Sequence, residues 1–326
     1  MKRILSIDGG GIKGMFPATF LAELEASVDR PLWEYFDLIT GTSTGGIIAI
    51  GLAMGIPAST IRDLYEEKGP EIFGQERTGF MGAWDRNVAQ ARWLSWGPKH
   101  QSENLHGQLN SILGKRKIGH AKTRLMIPAF HGKTRQVYIF KTPHHERFQT
   151  DFSVLASDAA MATAAAPTFF REFITTQDVG LVDGGLWANN PTGVAVAEGI
   201  GTLKWKPDEI RVLSVGCLED VEEMPKAAGA IRFAQKMSGF FMAGQSYGSL
   251  GIAHILTGHV GGADHKAIYR VNQMVPAGNY GLDNTARIAD LKDRAMVEAR
   301  NQKPDLQKAF FTQPAERFEP IYEVAA

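Results

Sequence analysis

The chain has 326 residues, and its 35 lysines and arginines balance its 35 aspartates and glutamates, so its formal net charge is zero. Hydrophobic residues make up 44% and charged residues 21%, which is typical of a globular protein and excludes wholesale disorder. A neutral chain lacks the basic excess that a nucleic-acid polymer requires, and one cysteine excludes a disulfide framework or a cysteine-based zinc cluster.

The N-terminus and the hydropathy pattern predict a soluble cytoplasmic protein. The apolar run at residues 4–7 is too short for the core of a signal peptide, and Asp8 ends it. No uncharged apolar stretch reaches about 18 residues, so we expect no transmembrane helix. Cys217 lies in a strand-like segment and is expected to be a small core residue.

Strand-like and helix-like segments alternate along the chain, which favours an α/β fold. The first predicted strands cover residues 4–7 and 36–40, and the first predicted helices run from about Pro17 to Pro31 and over residues 47–54. Residues 78–98 show no regular pattern.

The remaining elements follow the same alternation. Helices are predicted over residues 102–113, 156–166 and 191–200, a hairpin over residues 124–130 and 136–141, and strands over residues 179–182 and 211–215. Residues 227–256 are mostly helical but broken by glycines, and segments at residues 267–271 and 286–300 close the fold. Because we find no repeat or linker, we predict a single domain over residues 1–326, with cap elements at about 74–100 and 225–262.

A glycine-rich turn follows the first predicted strand, where residues 8–14 read Asp-Gly-Gly-Gly-Ile-Lys-Gly. Consecutive glycines let the backbone approach a ligand and direct several N–H groups at it, which suits a phosphate or the oxyanion of acyl transfer. The spacing of Gly9, Gly11 and Gly14 also fits the dinucleotide-binding fingerprint, with Asp37 near the ribose-binding position. However, Asp8 would repel a pyrophosphate.

A second turn follows the second predicted strand, where residues 41–45 read Gly-Thr-Ser-Thr-Gly. The pattern G-x-S-x-G is typical of a nucleophile elbow, in which small flanking residues allow a tight turn that exposes the serine hydroxyl. Ser43 is therefore a candidate nucleophile between Gly41 and Gly45. The alternative is a serine that only caps the following helix.

The group that would activate Ser43 remains open at this point. An α/β-hydrolase would use a histidine late in the chain, but that fold places several strands before its elbow, and here only two precede it. Its candidate bases are His254, His259 and His265. A third turn, formed by Asp183, Gly184 and Gly185, offers a carboxylate instead, although such a tripeptide alone is more often a plain turn.

In this order and spacing, the three turns resemble the signature of the patatin-like phospholipase family, D-G-G-G-x-[RK]-G, then G-x-S-x-G, then D-G-[AG]. The resemblance covers about residues 1–220. It implies a three-layer α/β/α fold with a mostly parallel central sheet and a cap of loops and helices. At the position where the family more often has arginine, Lys13 keeps the charge but not the planar fork.

The resemblance also implies a role for each motif. Ser43 would be the nucleophile and Asp183 its general base, in a dyad that needs no histidine, metal or other cofactor. The N–H groups of Gly10 and Gly11, with Gly9, would form the oxyanion hole. The implied activity is hydrolysis of fatty-acyl esters of membrane phospholipids through an acyl-serine intermediate.

An enzyme of this kind must contact a bilayer through its surface, at the inner face of the membrane. One candidate contact mixes aromatic and basic residues, namely Phe80, Met81, Trp84, Arg86, Arg92, Trp93, Leu94, Trp96 and Lys99. A second is residues 233–247, which include Met237, Phe240, Phe241 and Met242. The alternative is that both segments pack on the core or cover the elbow as a lid.

Several short prokaryotic members of the family, which the chain resembles in length, act as effectors in cyclic-oligonucleotide anti-phage signalling. Activation by a cyclic dinucleotide is therefore a further hypothesis. The densest basic cluster comprises Lys115, Arg116, Lys117, Lys122 and Arg124, although a solvated turn also explains it. The alternatives left open are an unregulated esterase or lysophospholipase, a nucleotide-binding protein that uses the first glycine turn, a histidine-dependent hydrolase and a non-catalytic lipid-binding protein. A homo-oligomer is compatible with each.

Overall fold

The computed structural model describes residues 1–73, 102–221, 230–258, 266–276 and 278–324. Its strands are β1 (Lys2–Ile7), β2 (Leu38–Gly41), β3 (Arg124–His131), β4 (Gln136–Lys141), β5 (Phe173–Ile174), β6 (Gly180–Asp183), β7 (Ile210–Val215), β8 (Glu219–Val221), β9 (Ile268–Val271) and β10 (Met274–Pro276). Its α-helices are α1 (Met15–Glu25), α2 (Thr44–Ala53), α3 (Ala58–Phe73), α4 (Ser102–Leu113), α5 (Ala156–Ala164), α6 (Gly185–Ala188), α7 (Thr192–Gly201), α8 (Ala230–Leu256) and α9 (Ile288–Phe310).

The main sheet has eight strands in the order β5-β6-β3-β2-β1-β7-β9, with β4 also paired to β3. The strands from β3 to β9 in this order are parallel, whereas β4, β5 and β6 pair in antiparallel fashion. The predicted α/β class, mostly parallel sheet and hairpin are therefore confirmed. A separate pair of short parallel strands is formed by β8 and β10.

Helices cover both faces of the sheet because the strands are apolar on both sides. Leu5 and Ile7 point to one face, where they join the core cluster built with α1, α2 and α9. Ile4, the residue before Leu5, joins a second cluster with α7 and α8 on the other face. Alternate residues of a strand point to opposite faces, so one central strand contributes to two cores. Each fully buried aliphatic side chain contributes about 1.5–3 kcal/mol of hydrophobic stabilisation.

The helices differ from the predictions where packing overrides local sequence preference. Helix α8 runs without a break through its glycines, because its packing against α7 compensates for about 1 kcal/mol of lost propensity at each glycine. Helix α9 extends to Phe310 rather than residue 300, and α1 ends at Glu25, well before Pro31. Helix α3 was not predicted, although Ile61, Leu64, Tyr65 and Ile72 form its buried stripe.

The parallel strands place the three turns at one edge of the sheet. The first glycine turn follows the end of β1, and the elbow follows the end of β2. Strand β6 is antiparallel to β3, and Asp183 at its end pairs with Ala129 near the end of β3. The carboxyl ends of parallel strands are where α/β sheets bind ligands. Within the described residues, no helix is long and apolar enough to cross a membrane.

Candidate active site

Ser43 lies in the tight turn between β2 and α2, with φ 56° and ψ −125°. A non-glycine residue adopts this conformation only where the surroundings impose it, and such strain is common at functional sites. The surroundings here are crowded backbone. A Cβ atom at Gly41 would lie 2.1 Å from the carbonyl oxygen of Gly45, and one at Gly45 would lie 2.3 Å from that of Ile7. Glycine on both sides is therefore required for the turn that presents the serine.

A threonine that the sequence analysis missed holds the elbow in place. The Ser43 N–H donates to the hydroxyl of Thr163 at 3.0 Å, and that hydroxyl donates to the carbonyl of Pro128 at 2.6 Å. Thr163 lies in the alanine-rich helix α5, where a buried hydroxyl among alanines was the available signal. The contact ties the strained turn to strand β3.

Asp183 lies beside the elbow, where the Ser43 hydroxyl acts as a hydrogen-bond donor that lowers the pKa of its carboxyl group. It also accepts the N–H of Gly185 at 2.6 Å, and its side chain is almost fully buried. Burial raises the pKa of Asp183 to about 6, while the hydrogen bonds from Ser43 and Gly185 oppose that rise. Within the described part of the chain, no cation pairs with this carboxylate. It can therefore accept a proton from the hydroxyl far more readily than an ordinary aspartate.

The glycines of the third turn serve its geometry. A Cβ atom at Gly184 would lie 2.3 Å from the carbonyl oxygen of Pro128, so a side chain there would push β6 away from β3. Gly185 supplies the N–H that orients the carboxylate.

The first glycine turn lies against the elbow. A Cβ atom at Gly9 would lie 3.1 Å from the Cβ of Ser43, and one at Gly14 would lie 2.2 Å from the hydroxyl oxygen of Thr44. Gly11 has φ +58°, and a Cβ there would lie 2.2 Å from the carbonyl oxygen of Leu282. The backbone of this turn can approach Ser43 only because side chains are absent.

The three N–H groups predicted for the oxyanion hole are not equivalent. The N–H of Gly9 donates to the carbonyl of Asn189 at 3.0 Å. Among the described residues, none accepts a hydrogen bond from the N–H of Gly10 or Gly11. These two groups are therefore the donors that remain available to an oxyanion.

Asn189, a second residue that the sequence analysis missed, hydrogen-bonds to both the N–H and the carbonyl of Gly9. Its carbonyl accepts from the Gly9 N–H, and its side-chain Nδ2 donates to the Gly9 carbonyl at 3.3 Å. Its own N–H donates to Gln245 of α8 at 3.3 Å, and Gln245 donates to the carbonyl of Leu186 at 2.9 Å. The pair of asparagines before Pro191 was the signal in the sequence.

The carboxylate of Asp8 is paired with an arginine and forms no hydrogen bond with the elbow among the described residues. Its two carboxylate oxygens accept from Arg270 at 3.0 and 2.6 Å, and Arg270 also donates to Ser214 at 2.9 Å. A bidentate pair of this kind neutralises the carboxylate and anchors the glycine turn to β7 and β9. Cys217 is buried as predicted, with Sγ 3.2 Å from the Asp8 carbonyl oxygen.

Lys13 anchors the far side of the same turn. Its ammonium donates to the carbonyl of Leu218 at 3.2 Å and lies 3.9 Å from the carboxylate of Asp220. Neither contact needs a planar fork, so lysine serves here in place of the arginine that is more common in the family.

A cavity of about 410 Å³ adjoins the glycine turn. Its wall includes Gly9, Gly10 and Arg270 on one side and Phe240, Met242 and Ala243 of α8 on the other. Its volume falls in the range of small-molecule sites, and the mixture of polar and apolar walls suits an amphipathic ligand.

The geometry gives no support to the dinucleotide and histidine alternatives. Asp37 exchanges hydrogen bonds with the backbone of Arg3 at the start of β1, at the opposite edge of the sheet from the glycine turn. His254 is exposed on α8, and His259 and His265 lie outside the described residues. No histidine in the described ranges hydrogen-bonds to Ser43 or Asp183.

The sequence model described as "Patatin-like phospholipase" matches residues 5–196, which include all three turns. The chain belongs to the patatin-like phospholipase family. The predicted three-layer architecture is that of this family. A "cGAMP-activated phospholipase" of Pseudomonas aeruginosa is 39% identical over 222 residues, covering 66% of this chain and 62% of that protein.

Further relatives extend the comparison to other organisms. A "cGAMP-activated phospholipase" of Vibrio cholerae is 35% identical, over 66% of this chain and 64% of its own length. The "Patatin-like protein 1" of Oryza sativa subsp. indica is 38% identical, over 60% of this chain and 50% of its own length. The matches thus span less than two thirds of these relatives. The crystal structure of VipD from Legionella pneumophila aligns with 95% of this chain and 67% of its own, at 12% identity and a TM-score of 0.44.

Proposed function

We propose that the protein is a lipid acyl hydrolase that cleaves fatty-acyl esters of phospholipids with a Ser43–Asp183 dyad. The observation that carries the proposal is the Ser43 hydroxyl beside a buried carboxylate that has no cationic partner among the described residues. A structural aspartate would be expected to have a cation, as Asp8 does. Family membership and the names of the relatives support the same assignment.

The dyad performs acyl transfer in two halves. In the first, Ser43 Oγ attacks the ester carbonyl carbon while its proton passes to Asp183, and the N–H groups of Gly10 and Gly11 stabilise the oxyanion. The carbon–oxygen bond to the alcohol then breaks, and Asp183 returns the proton to the leaving alkoxide.

In the second half, water attacks the acyl-serine and gives its proton to Asp183. The tetrahedral intermediate collapses, the fatty acid leaves, and the proton returns to Ser43 Oγ. Proton gain and loss at Asp183 balance over the cycle, so the reaction consumes only the ester and one water molecule. The pKa of about 6 leaves the carboxylate ionised at neutral pH, so it is ready to act as the base.

We assign the contact with the membrane to α8. Phe241, Ile252 and Ile255 recur at spacings that return to one helix face, and they are 59%, 52% and 70% exposed. Leu186, next to the catalytic turn, is 49% exposed and is bonded through its carbonyl to Gln245 of the same helix. Exposed apolar side chains beside a lipid-cleaving site suit insertion at the headgroup boundary. The first predicted contact, residues 80–99, lies outside the described residues.

Vesicle binding tests the α8 assignment. The double variant Phe241→Ser/Ile255→Ser is expected to bind phospholipid vesicles about tenfold more weakly while hydrolysing a soluble short-chain ester at the parental rate. Val297→Ser, which removes an exposed apolar residue from α9, is the matched control. Equal vesicle binding by the double variant and the control would remove the assignment.

The relatives named as cGAMP-activated phospholipases support a cyclic dinucleotide activator. We propose that the protein acts in antiviral defence at the inner face of the bacterial membrane. The decisive experiment measures fatty-acid release from vesicles by the parent and by Ser43→Ala, with and without cGAMP. Release that requires both Ser43 and cGAMP supports a gated phospholipase. Release that requires Ser43 alone supports an unregulated hydrolase. A Ser43→Ala protein with parental activity contradicts the dyad.

A further inference from the structure

A second cavity lies at the edge of the sheet opposite the candidate active site. It has a volume of about 580 Å³. Its walls come from the turn before β2, from residues 121–123 before β3 and from residues 314–318 of the C-terminal segment. Ser43 follows the other end of β2, so a ligand in this cavity would not compete with a lipid at the dyad.

The charged residues of the cavity leave an excess of positive charge. Its two carboxylates are already paired, Glu34 with Arg30 at 2.9 Å and Glu316 with Lys2 at 2.6 Å. The two remaining cations of the wall are Lys122 and Arg317, and neither has a carboxylate partner among the described residues. Two uncompensated charges beside one cavity favour a ligand with two negative charges.

The rest of the wall is aromatic. Trp33, Phe36 and Phe318 line the cavity, and the ammonium of Lys122 lies 5.1 Å from the centre of the Trp33 ring. The indole Nε1 of Trp33 is buried without a hydrogen-bond partner. A buried N–H of this kind costs free energy unless a ligand or water accepts from it. Aromatic rings combined with cations are the surface on which nucleotide bases and phosphates bind.

We infer that this cavity is the regulatory site for a cyclic dinucleotide, held by Lys122 and Arg317 through its two phosphates and by Trp33 and Phe318 through its bases. The inference rests on the proposed activation by such a nucleotide. A ring with two phosphodiesters matches the two free cations in charge, and the volume is that of a small-molecule site.

Members of the basic cluster at residues 115–124 differ in whether they lie at this cavity. Of its members, Lys122 lines the cavity, whereas Arg116 donates to the carbonyls at the end of α4. Arg124 lies over the Phe318 ring, 5.3 Å from its centre, and thus holds one aromatic wall. Residues 121–124 lead into β3, whose far end pairs with the strand that carries Asp183. The cavity is therefore joined by continuous strands to both members of the dyad.

Binding is measured by calorimetry on the Ser43→Ala protein, so that the result does not depend on catalysis. The probes are cGAMP, cyclic di-GMP, AMP and inorganic pyrophosphate. We expect a cyclic dinucleotide to bind with 1:1 stoichiometry and more tightly than AMP or pyrophosphate. Lys122→Ala and Arg317→Ala should each weaken binding by about tenfold or more, since a charge-assisted hydrogen bond is lost. Trp33→Phe should weaken it by a smaller factor.

Lys115→Ala is the matched control, because Lys115 belongs to the same basic run but does not line the cavity. Undiminished nucleotide binding by the double variant Lys122→Ala/Arg317→Ala would overturn the inference, as would the absence of binding by both cyclic dinucleotides. If the parent binds anionic vesicles but no nucleotide, and the double variant loses the vesicle binding, the cavity is a lipid-headgroup site instead. The proposed hydrolase function is tested separately, because fatty-acid release that does not require Ser43 would contradict it without bearing on nucleotide binding.

Discussion

Asp8 and Asp183 occupy closely similar positions in the chain. Asp8 directly follows β1 and Asp183 ends β6, each precedes glycines in a tight turn, and each side chain is buried at the same edge of the sheet. Their partners differ. Asp8 forms a bidentate ion pair with Arg270, whereas Asp183 receives the Ser43 hydroxyl and the N–H of Gly185. The local motif is therefore insufficient to identify the base, and the partner that a distant strand supplies decides the role.

The two carboxylates differ in what their ionisation costs. Burial raises the pKa of Asp8 as well, but the charge of Arg270 opposes that rise, and Arg270 is itself held by Ser214, so the pair behaves as a structural clamp. Asp183 has only neutral donors, so burial raises its pKa to about 6 and leaves a basic carboxylate beside the serine. An aspartate that anchors a turn and an aspartate that accepts a proton thus need opposite surroundings.

Replacing each carboxylate by its amide should separate the two roles, and the largest effect is expected at Asp183. Asp183→Asn keeps the shape but removes the base, so ester turnover should fall by about 10⁴-fold. Because the amide carries no buried charge, the free energy of unfolding at pH 8 should be unchanged or higher. Steady-state kinetics and urea unfolding check both expectations. A variant that retains a tenth of the parental rate would show that another group is the base.

Asp8→Asn should act in the opposite way, chiefly on stability. The change leaves the guanidinium of Arg270 largely buried without its counter-charge, so the free energy of unfolding should fall by about 3 kcal/mol. The double variant Asp8→Asn/Arg270→Gln should recover part of this loss, because the unpaired charge is removed as well. Urea unfolding of the parent, the single variants Asp8→Asn and Arg270→Gln and the double variant gives the coupling energy. A single variant as stable as the parent would contradict the clamp.

The pH dependence of Asp183 should show two trends of opposite sign, one in stability and one in activity. The folded-state pKa of about 6 lies above the ordinary value of 3.8, so the folded protein binds more protons between these values. Stability should therefore decrease as pH rises from about 4 to 6, by an amount on the order of 3 kcal/mol from this group. Over the same range kcat/KM should increase, since the base must be ionised, and at pH 5 it should lie about tenfold below its plateau.

The control for these trends is the Asp183→Asn protein. Subtracting its stability from that of the parent at each pH isolates the contribution of the one carboxylate. If the difference does not change between pH 4 and 7, the pKa of Asp183 is not raised.

The local chemistry of the site was largely predictable from the sequence, because tight turns impose it. The glycine at position 41 is required by a backbone contact with Gly45 inside the turn, and the glycine at position 45 by a contact with Ile7 of the neighbouring strand β1. The G-x-S-x-G motif therefore indicates the elbow. The alternation of strands and helices likewise predicted the sheet and its hairpin. The apolar residues Ile61, Leu64, Tyr65 and Ile72 have helical spacing as well, but α3 was not predicted.

What the sequence could not provide are the partners that lie far apart in the chain. Arg270 is 262 residues from Asp8, and Asn189 is 180 residues from Gly9. No local pattern marks such pairs, because they arise from the order of strands in the sheet. The continuity of α8 through its glycines is also a tertiary effect, since only its packing on α7 compensates for their cost.

The smallest effect is expected at Asn189, whose side chain touches the glycine turn rather than the substrate. Asn189→Ala removes the 3.3 Å bond to the Gly9 carbonyl but keeps the backbone bond between the Asn189 carbonyl and the Gly9 N–H. The position of the glycine turn should become less precise, so kcat should fall by about tenfold with little change in KM. Asn189→Asp should lower kcat further than alanine does, because its charge repels the Gly9 carbonyl and opposes a nearby oxyanion. Asn190→Ala, which loses the neighbouring bond to Ser246, should lower stability while leaving kcat close to the parental value. If aspartate and alanine at position 189 lower kcat equally, and in proportion to stability, then Asn189 only supports the fold and does not position the turn.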